Sequence, residues 1–383
     1  MTEYTEEQES IRRVAREFAR KEVAAGAEER DRTGHFDYKL YRRCGELGFI
    51  GMLMPRECGG SEADLLSWWL VLEEIARVDL SLSWAMMSAL SAAGPIATAG
   101  TPQQKALWMD SLVKPALRGE ATTCMGLTEP DAGSDNSRIR TRAVRDGDHW
   151  VINGQKTFIT GAGLEICRGV LAVCLTDPNQ RQYEQIFIPT GTPGYRIGPP
   201  LRKMGLHASD TRELFFDDVR VPLYHRIGTE GQGLAGMLWN LGMGRIQIAS
   251  TCLGLAEECL DLATAYAKQR VAFGKPIARF QYVQGMLTEM ALNVHLSRLI
   301  RDHAARLFMA DKPFFKEASM CKWFVTETAK KVADDAVQIF GGMGFMDECP
   351  VSRYYRDIRA ATIGEGTTQI QRHVIAREMG LLG

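Results

Sequence analysis

Three stretches of this 383-residue chain gather side chains able to do chemistry. Leu127-Thr128-Glu129-Pro130-Asp131-Ala132-Gly133-Ser134-Asp135 sets proline and glycine among short donors and acceptors. That composition turns the chain and keeps hydroxyls and carboxylates close to backbone. Asn153-Gly154-Gln155-Lys156-Thr157-Phe158-Ile159-Thr160 puts an aromatic residue and a hydroxyl just after an Asn-Gly pair, and Asn-Gly predicts a tight hairpin turn. Near the end, Glu365-Gly366-Thr367-Thr368-Gln369-Ile370-Gln371-Arg372 carries a carboxylate with a glycine on each side. Such a glutamate is ordinarily a solvated loop residue, but becomes a general base where burial raises its basicity. Arg270 likewise reads as a surface charge unless an anion needs its fork of donors.

A fourth run is a decoy. Gly231-x-Gly233-x-x-Gly236 spells the dinucleotide fingerprint, and Glu257 follows roughly 20 residues later. That fingerprint works only at a tight strand-to-helix turn inside a βαβ unit. Here the last strand-like run is Leu214 to Val221, and none follows it. The glycines read instead as a flexible lead-in to a helix.

The elements that must position these residues come in three blocks. Thr5-x-x-Gln8 forms a capping box, and Ile11, Val14, Ala15 and Phe18 follow at helical spacing. Helical texture continues to about residue 120, broken at Gly59-Gly60 and Gly94-Pro95. Short β-rich runs then take over: Trp150-Val151-Ile152, Val170 to Leu175, Ile186-Phe187-Ile188 and Leu214-Phe215-Phe216, with loops at Pro193-Gly194 and Pro199-Pro200. After Pro222 the helical period returns, with helices predicted near 233–269, 280–310, 313–340 and 367–380. Long uninterrupted helices predict an antiparallel bundle. The reading is therefore an N-terminal α-helical domain over 1–120, a small central β-barrel or sandwich domain over 121–228 and a C-terminal helical bundle over 229–383.

Composition narrows the field further. The chain is 45% hydrophobic and 24% charged, ordinary for a globular protein. Forty-six basic residues balance 47 acidic ones, so no overall field draws it to nucleic acid or an anionic membrane. The nine cysteines are scattered and never form C-x-x-C, which argues against a zinc or redox site and predicts reduced core residues in a cytoplasmic protein. The acidic start lacks the apolar run of a secretory signal, and no segment approaches the roughly 18 apolar residues of a membrane span.

Together the motifs resemble, in order and over essentially the whole chain, the acyl-CoA dehydrogenase family. Besides the three chemical runs, Lys203-Met204-Gly205 with Leu214 to Pro222 resembles a β-domain signature. Arg270-x-x-Phe273-Gly274-x-x-Ile277-x-x-Phe280-Gln281 and Gln338-Ile339-Phe340-Gly341-Gly342-x-Gly344-Phe345 resemble bundle signatures. The resemblance implies an α domain, a β domain and a four-helix bundle, assembled as a homotetramer around FAD. The implied reaction introduces an α,β double bond into an acyl thioester and passes electrons to an electron-transferring flavoprotein or another acceptor.

It also implies roles. Glu365 would abstract the α-proton while the β-hydrogen leaves as hydride to flavin. Leu127, Thr128, Phe158 and Thr160 would face the flavin ring, with Phe158 where the family frequently has Trp. Thr367 and Gln369 would add flavin contacts, and Arg270, Phe273, Gln281, Gln338, Gly341 and Gly342 would hold the ADP half, partly across a subunit boundary. Ser134, Arg245 and Gly366 would meet the substrate. Gly242 stands where the family commonly has Asp, so CoA is less firmly implied than a thioester in general. Two further readings stay open: a carrier-protein thioester dehydrogenase or oxidase on the same scaffold, and a non-enzymatic helical interaction protein. Glu365, Thr128, Thr160 and Arg270 argue against the second. The small residues between Ser81 and Gly100 suggest room for a bulky acyl group, or else close helix packing.

Overall fold

A computed structural model describes residues 4–381. The first block folds as helices α1 (Glu6–Phe18), α2 (Ala27–Thr33), α3 (Tyr38–Glu46), α4 (Leu65–Ala76), α5 (Leu80–Ser88), α6 (Ala93–Ala99), α7 (Pro102–Trp108) and α8 (Lys114–Leu117). The capping box forms at Thr5 and Gln8. Ala15 and Phe18 enter the core, but Val14 stays exposed, so the buried face is narrower than the sequence spacing predicts. Helix α4, buried almost all round, carries Glu73 into the interior. There it meets Arg12 of α1 at 3.1 Å and, from the bundle, Arg298 at 2.7 Å and Arg301 at 2.9 Å. Burial alone would raise this carboxyl; the arginines overcome it and hold Glu73 ionised.

The middle block is a mixed eight-stranded sheet. Strands β1 (Thr122–Gly126), β2 (Arg142–Asp146), β3 (His149–Thr160), β4 (Cys167–Asp177), β5 (Gln182–Pro189), β6 (Tyr195–Ile197), β7 (Thr211–Pro222) and β8 (Arg226–Ile227) are ordered β6-β7-β3-β2-β4-β5-β8, with β1 parallel to β4. The hairpin expected at Asn153-Gly154 is not there: β3 runs straight through the pair, and the β3–β7 register slips between Ile152 and Gly154. Gly154 is required for a different reason. Its Cβ would lie 2.6 Å from the Cα of Thr141, at the edge of the neighbouring strand β2, so the pair marks a bulge where two strands approach too closely for a side chain.

The last block holds α9 (Gly233–Gln269), a short hairpin of β9 (Val271–Ala272) and β10 (Lys275–Pro276), then α10 (Gln281–Met309), α11 (Phe315–Phe340), α12 (Pro350–Ile358) and α13 (Thr368–Glu378). The four helices predicted here form within two or three residues of their expected ends, and α12 is the one unanticipated. The Gly231 to Gly236 run leads into α9, as expected of a decoy, but it is tied down: Gly231 N–H donates to Glu184 Oε1 at 2.7 Å and Gln185 Nε2 to Gly233 O at 2.8 Å. All nine cysteines are buried and unpaired. Among the described residues no helix is long and apolar enough to cross a membrane.

Candidate active site

Glu365 lies in the turn between the last 3-10 stretch and α13. Its φ is +54° and that of Gly366 is +86°, two successive residues in the left-handed region. Glycine adopts this freely; a glutamate there stores roughly 1–3 kcal/mol and persists only where its surroundings impose it. The enforcing groups are internal. Gln371 Nε2 donates to Glu365 O at 3.0 Å and Gly366 O at 2.8 Å, and Lys322 Nζ donates to Gly366 O at 2.7 Å. Thr367 caps α13, its Oγ1 accepting from Ile370 N–H at 3.3 Å. The backbone N–H of Glu365 has no hydrogen-bond partner among the described residues.

The carboxylate points at α9 beside Gly244, where a Cβ would come within 2.8 Å of Oε2. No larger residue fits at 244 without moving this carboxylate. Burial pushes the Glu365 carboxyl above the ordinary range, restrained by two cations, Arg245 and Lys322. Arg245 is buried and donates from Nη1 to Ser319 Oγ at 3.1 Å, leaving its Nε without a partner. Gly242, one turn earlier, faces aromatic rings: its Cβ would sit 2.7 Å from the Phe315 ring and 3.2 Å from that of Phe314.

The β domain reaches the same stretch of α9. Leu127, just after β1, packs in a cluster that includes Met237 and Leu241, and Leu241 lies three residues before Gly244 on that helix face. The Leu127–Thr128 segment is fixed from below. Lys156 Nζ, fully buried, donates to Leu127 O at 3.2 Å and Val173 O at 2.7 Å and pairs with Glu129 at 2.8 Å. Glu129 also accepts from the N–H groups of Arg140 at 2.7 Å and Thr141 at 3.0 Å, while Thr157 N–H donates to Thr128 O at 2.9 Å. Next to Thr157, a register slip between Lys156 and Ile159 leaves Phe158 at φ +59° and 68% exposed. A bulge of this kind re-aims a side chain, and here it turns a flat ring outward, with Thr160 partly exposed two residues on. Ser134 is exposed in the turn beyond Thr128.

A second group lies elsewhere. Tyr266 and Phe340 stack at 4.2 Å, joining the C-terminal ends of α9 and α11. This brings Arg270, Phe273 and Gln281 to the same end of the bundle as Gln338, Gly341 and Gly342, all of them exposed. Phe273 is 95% exposed at φ +50°, and nothing lies within 4 Å of a Cβ at Gly341 or Gly342. Measured along α9, Arg270 is roughly 37 Å from Arg245 at 1.5 Å per residue. The structure thus brings Leu127, Arg245 and the Glu365–Thr367 turn to one stretch of α9, with Thr128, Ser134, Phe158 and Thr160 on the adjoining β-domain segments and Gln369 in the first turn of α13, while the arginine-glutamine-glycine set stands at the far end.

Sequence reasoning passed over Lys156, Gly244, Lys322 and Gln371. Gln371 lay inside the quoted motif, and Gly244 was an unexplained glycine inside a helix. Lys156 lay inside the quoted Asn153 to Thr160 run with nothing to mark it as buried, and Lys322 gave no signal, since a lysine in a helix or strand ordinarily reaches water.

The three blocks match known protein families. Residues 5–115 match the N-terminal domain of acyl-CoA dehydrogenase, residues 124–219 its middle domain and residues 231–380 its C-terminal domain. A probable acyl-CoA dehydrogenase of Bacillus subtilis is 40% identical over 98% of this chain and 99% of its own length. The structure of butyryl-CoA dehydrogenase from Megasphaera elsdenii superposes with a TM-score of 0.93 at 34% identity, covering 99% of each chain. A prolyl acyl carrier protein oxidase superposes equally well, TM-score 0.93, at 27% identity, covering 99% of this chain and 100% of the other. With all three domain families matched in order and relatives aligned end to end, this chain belongs to the acyl-CoA dehydrogenase family of FAD-dependent enzymes.

Proposed function

We propose that Glu365 is the base with which this flavoenzyme removes the α-proton of an acyl thioester, giving the 2-enoyl thioester. The single observation carrying this reading is the Glu365 turn: a carboxylate in a left-handed conformation, raised by burial, facing a helix glycine that leaves it room. A thioester α-proton is weakly acidic, so the carbonyl must be polarised as the proton leaves. The unpartnered N–H of Glu365 is suited to that oxygen. Arg245, held by Ser319, places a positive charge near the carboxylate that works against the burial raising it.

The residues fit FAD by the chemistry of their donors. A guanidinium, two primary amides and two open glycines at 270, 281, 338, 341 and 342 suit an anionic pyrophosphate and its nucleotide. An outward aromatic at 158 beside the hydroxyls of Thr128 and Thr160 suits a flat polar ring. FAD supplies the acceptor for the β-hydride. Because the two residue sets stand roughly 37 Å apart along α9, a second copy of the chain must bring its far-end set to this chain's base. Phe273, Tyr282 and Phe345, exposed by 95%, 93% and 80%, give that end an apolar surface for such a partner. The assembly is a homotetramer in the cytoplasm, the substrate an acyl-CoA, and the electron acceptor an electron-transferring flavoprotein.

Glu365→Gln keeps the shape and removes the base. FAD content should stay normal, while flavin reduction by substrate, followed by rapid-mixing absorbance, should fall by roughly 10²–10⁴-fold. Flavin bleaching at the parent rate would exclude Glu365 as the base. Matched CoA and carrier-protein thioesters, with and without oxygen, identify carrier and acceptor in the same assay.

A further inference from the structure

Lysine is almost never fully buried unless it is paired, yet Lys322 on α11 is wholly inside, and none of the proposed steps uses it. Its one hydrogen bond goes to Gly366 O at 2.7 Å, the carbonyl directly after the base. Gln371, equally buried, donates to the same carbonyl at 2.8 Å. A strained turn is therefore held from two helices, by a cation on α11 and an amide on α13. We infer that Lys322 is a positioning residue for Glu365: its ammonium clamps the Gly366 carbonyl, fixing the left-handed turn, and supplies buried positive charge behind the carboxylate.

The surroundings make the charge effective. Facing Lys322 are Glu365 from the turn, Arg245 and Cys252 from α9 and Glu327 on its own helix; Arg377 and Glu378 of α13 act on Arg245. Glu327 is engaged elsewhere, with Lys330 and with Thr368 Oγ1 at 2.8 Å, and burial raises the Cys252 thiol, leaving it neutral. Burial lowers the Lys322 ammonium to about 8, so it is still charged at neutral pH. A buried opposite charge at short range lowers a carboxyl by about 1–3 pH units. Charge and clamp act through Glu365, so the inference rests on that residue's being the base.

The test is the pH profile of flavin reduction by a good acyl-CoA, normalised to bound FAD, in Lys322→Met, Lys322→Arg and Gln371→Leu. Loss of the ammonium should raise the acid limb of kcat/KM by about one pH unit or more, while Lys322→Arg, which keeps the charge, leaves it in place. Gln371→Leu removes an uncharged donor, so it should lower kcat by up to roughly 10²-fold through misplacement and leave the limb unmoved. An unmoved limb in FAD-replete Lys322→Met overturns the charge role. Should Lys322→Met fail to hold FAD, Gln371→Leu at the parent kcat overturns the clamp. Glu365→Gln keeps the two questions apart: parent-rate reduction there removes the base itself, whereas a slow Glu365→Gln beside an unmoved Lys322→Met limb removes only Lys322.

Discussion

Replacing Lys156 by Met should be the most damaging single change in the β domain outside its apolar core. The native ammonium has no solvent contact and satisfies three oxygens: Glu129 at 2.8 Å, Val173 O at 2.7 Å and Leu127 O at 3.2 Å. Burial pushes Lys156 down while Glu129 holds it up; burial pushes Glu129 up, and the lysine with its hydrogen bonds brings it below the ordinary carboxylate range. Methionine fills the volume but leaves Glu129 buried against two carbonyls with no cation. Breaking one side of a buried pair costs about 3–5 kcal/mol. For a cooperative unit of this size that lowers Tm on the order of 10 °C. Because Glu129 is lowered in the native fold, its contribution is present above its unfolded value and is lost as pH falls through the folded one. The penalty should therefore be largest at neutral pH and shrink in acid, where the stranded carboxylate protonates. Calorimetry on Lys156→Met, Glu129→Gln and the double variant closes the cycle: the double should be less damaged than the two singles added, by more than about 1 kcal/mol. Additive losses, or Lys156→Met within about 1 kcal/mol of the parent, would refute a buried ionic pair beneath the Leu127–Thr128 turn.

Three other outcomes follow from separate parts of the molecule. Asp357 accepts from the Leu206 N–H, and burial raises it to about 7. A carboxyl raised in the fold favours stability at low pH and loses that contribution as pH rises from the ordinary carboxylate range toward about 7, so Asp357→Asn, which keeps an acceptor oxygen, should flatten the fall in Tm between those two pH values. A Cβ at Gly254 on α9 would stand 2.0 Å from Glu73 O on α4. Gly254→Ala should force the two helices apart and cost about 1–3 kcal/mol or more by denaturant titration. Arg270→Ala should release FAD and weaken the oligomer together, since the bound cofactor stabilises whatever state holds it; sedimentation of holo- and apo-protein checks this, and FAD loss from an unchanged tetramer would argue against a site shared between subunits.

The order of helical, β and helical blocks was legible because it rests on local periodicity, and the long helices α9, α10 and α11 carry a strong 3.6-residue signal. Glu365 was singled out through the company it keeps in its motif rather than through its own type, while its burial and left-handed turn were not legible. Asn153-Gly154 misled because the pair fits both a hairpin turn and a bulge, and only the close approach of Thr141 from the neighbouring strand β2 distinguishes them. Val14 misled because helical spacing specifies a face but not how wide a neighbour covers it. The burial of Lys156, quoted within its motif, and of Lys322, which no motif contained, was invisible: a buried lysine is acceptable only where backbone carbonyls or a carboxylate converge on it, and those partners come from positions as distant as Val173 and Gly366. The sequence alone therefore determined which elements form and which residue types could do the chemistry, since both depend on neighbours along the chain. The tertiary structure alone decided that Leu127 and Glu365 approach the same stretch of α9 while Arg270 stands at its C-terminal end, because that depends on how a rigid helix spaces groups brought to it from three parts of the fold.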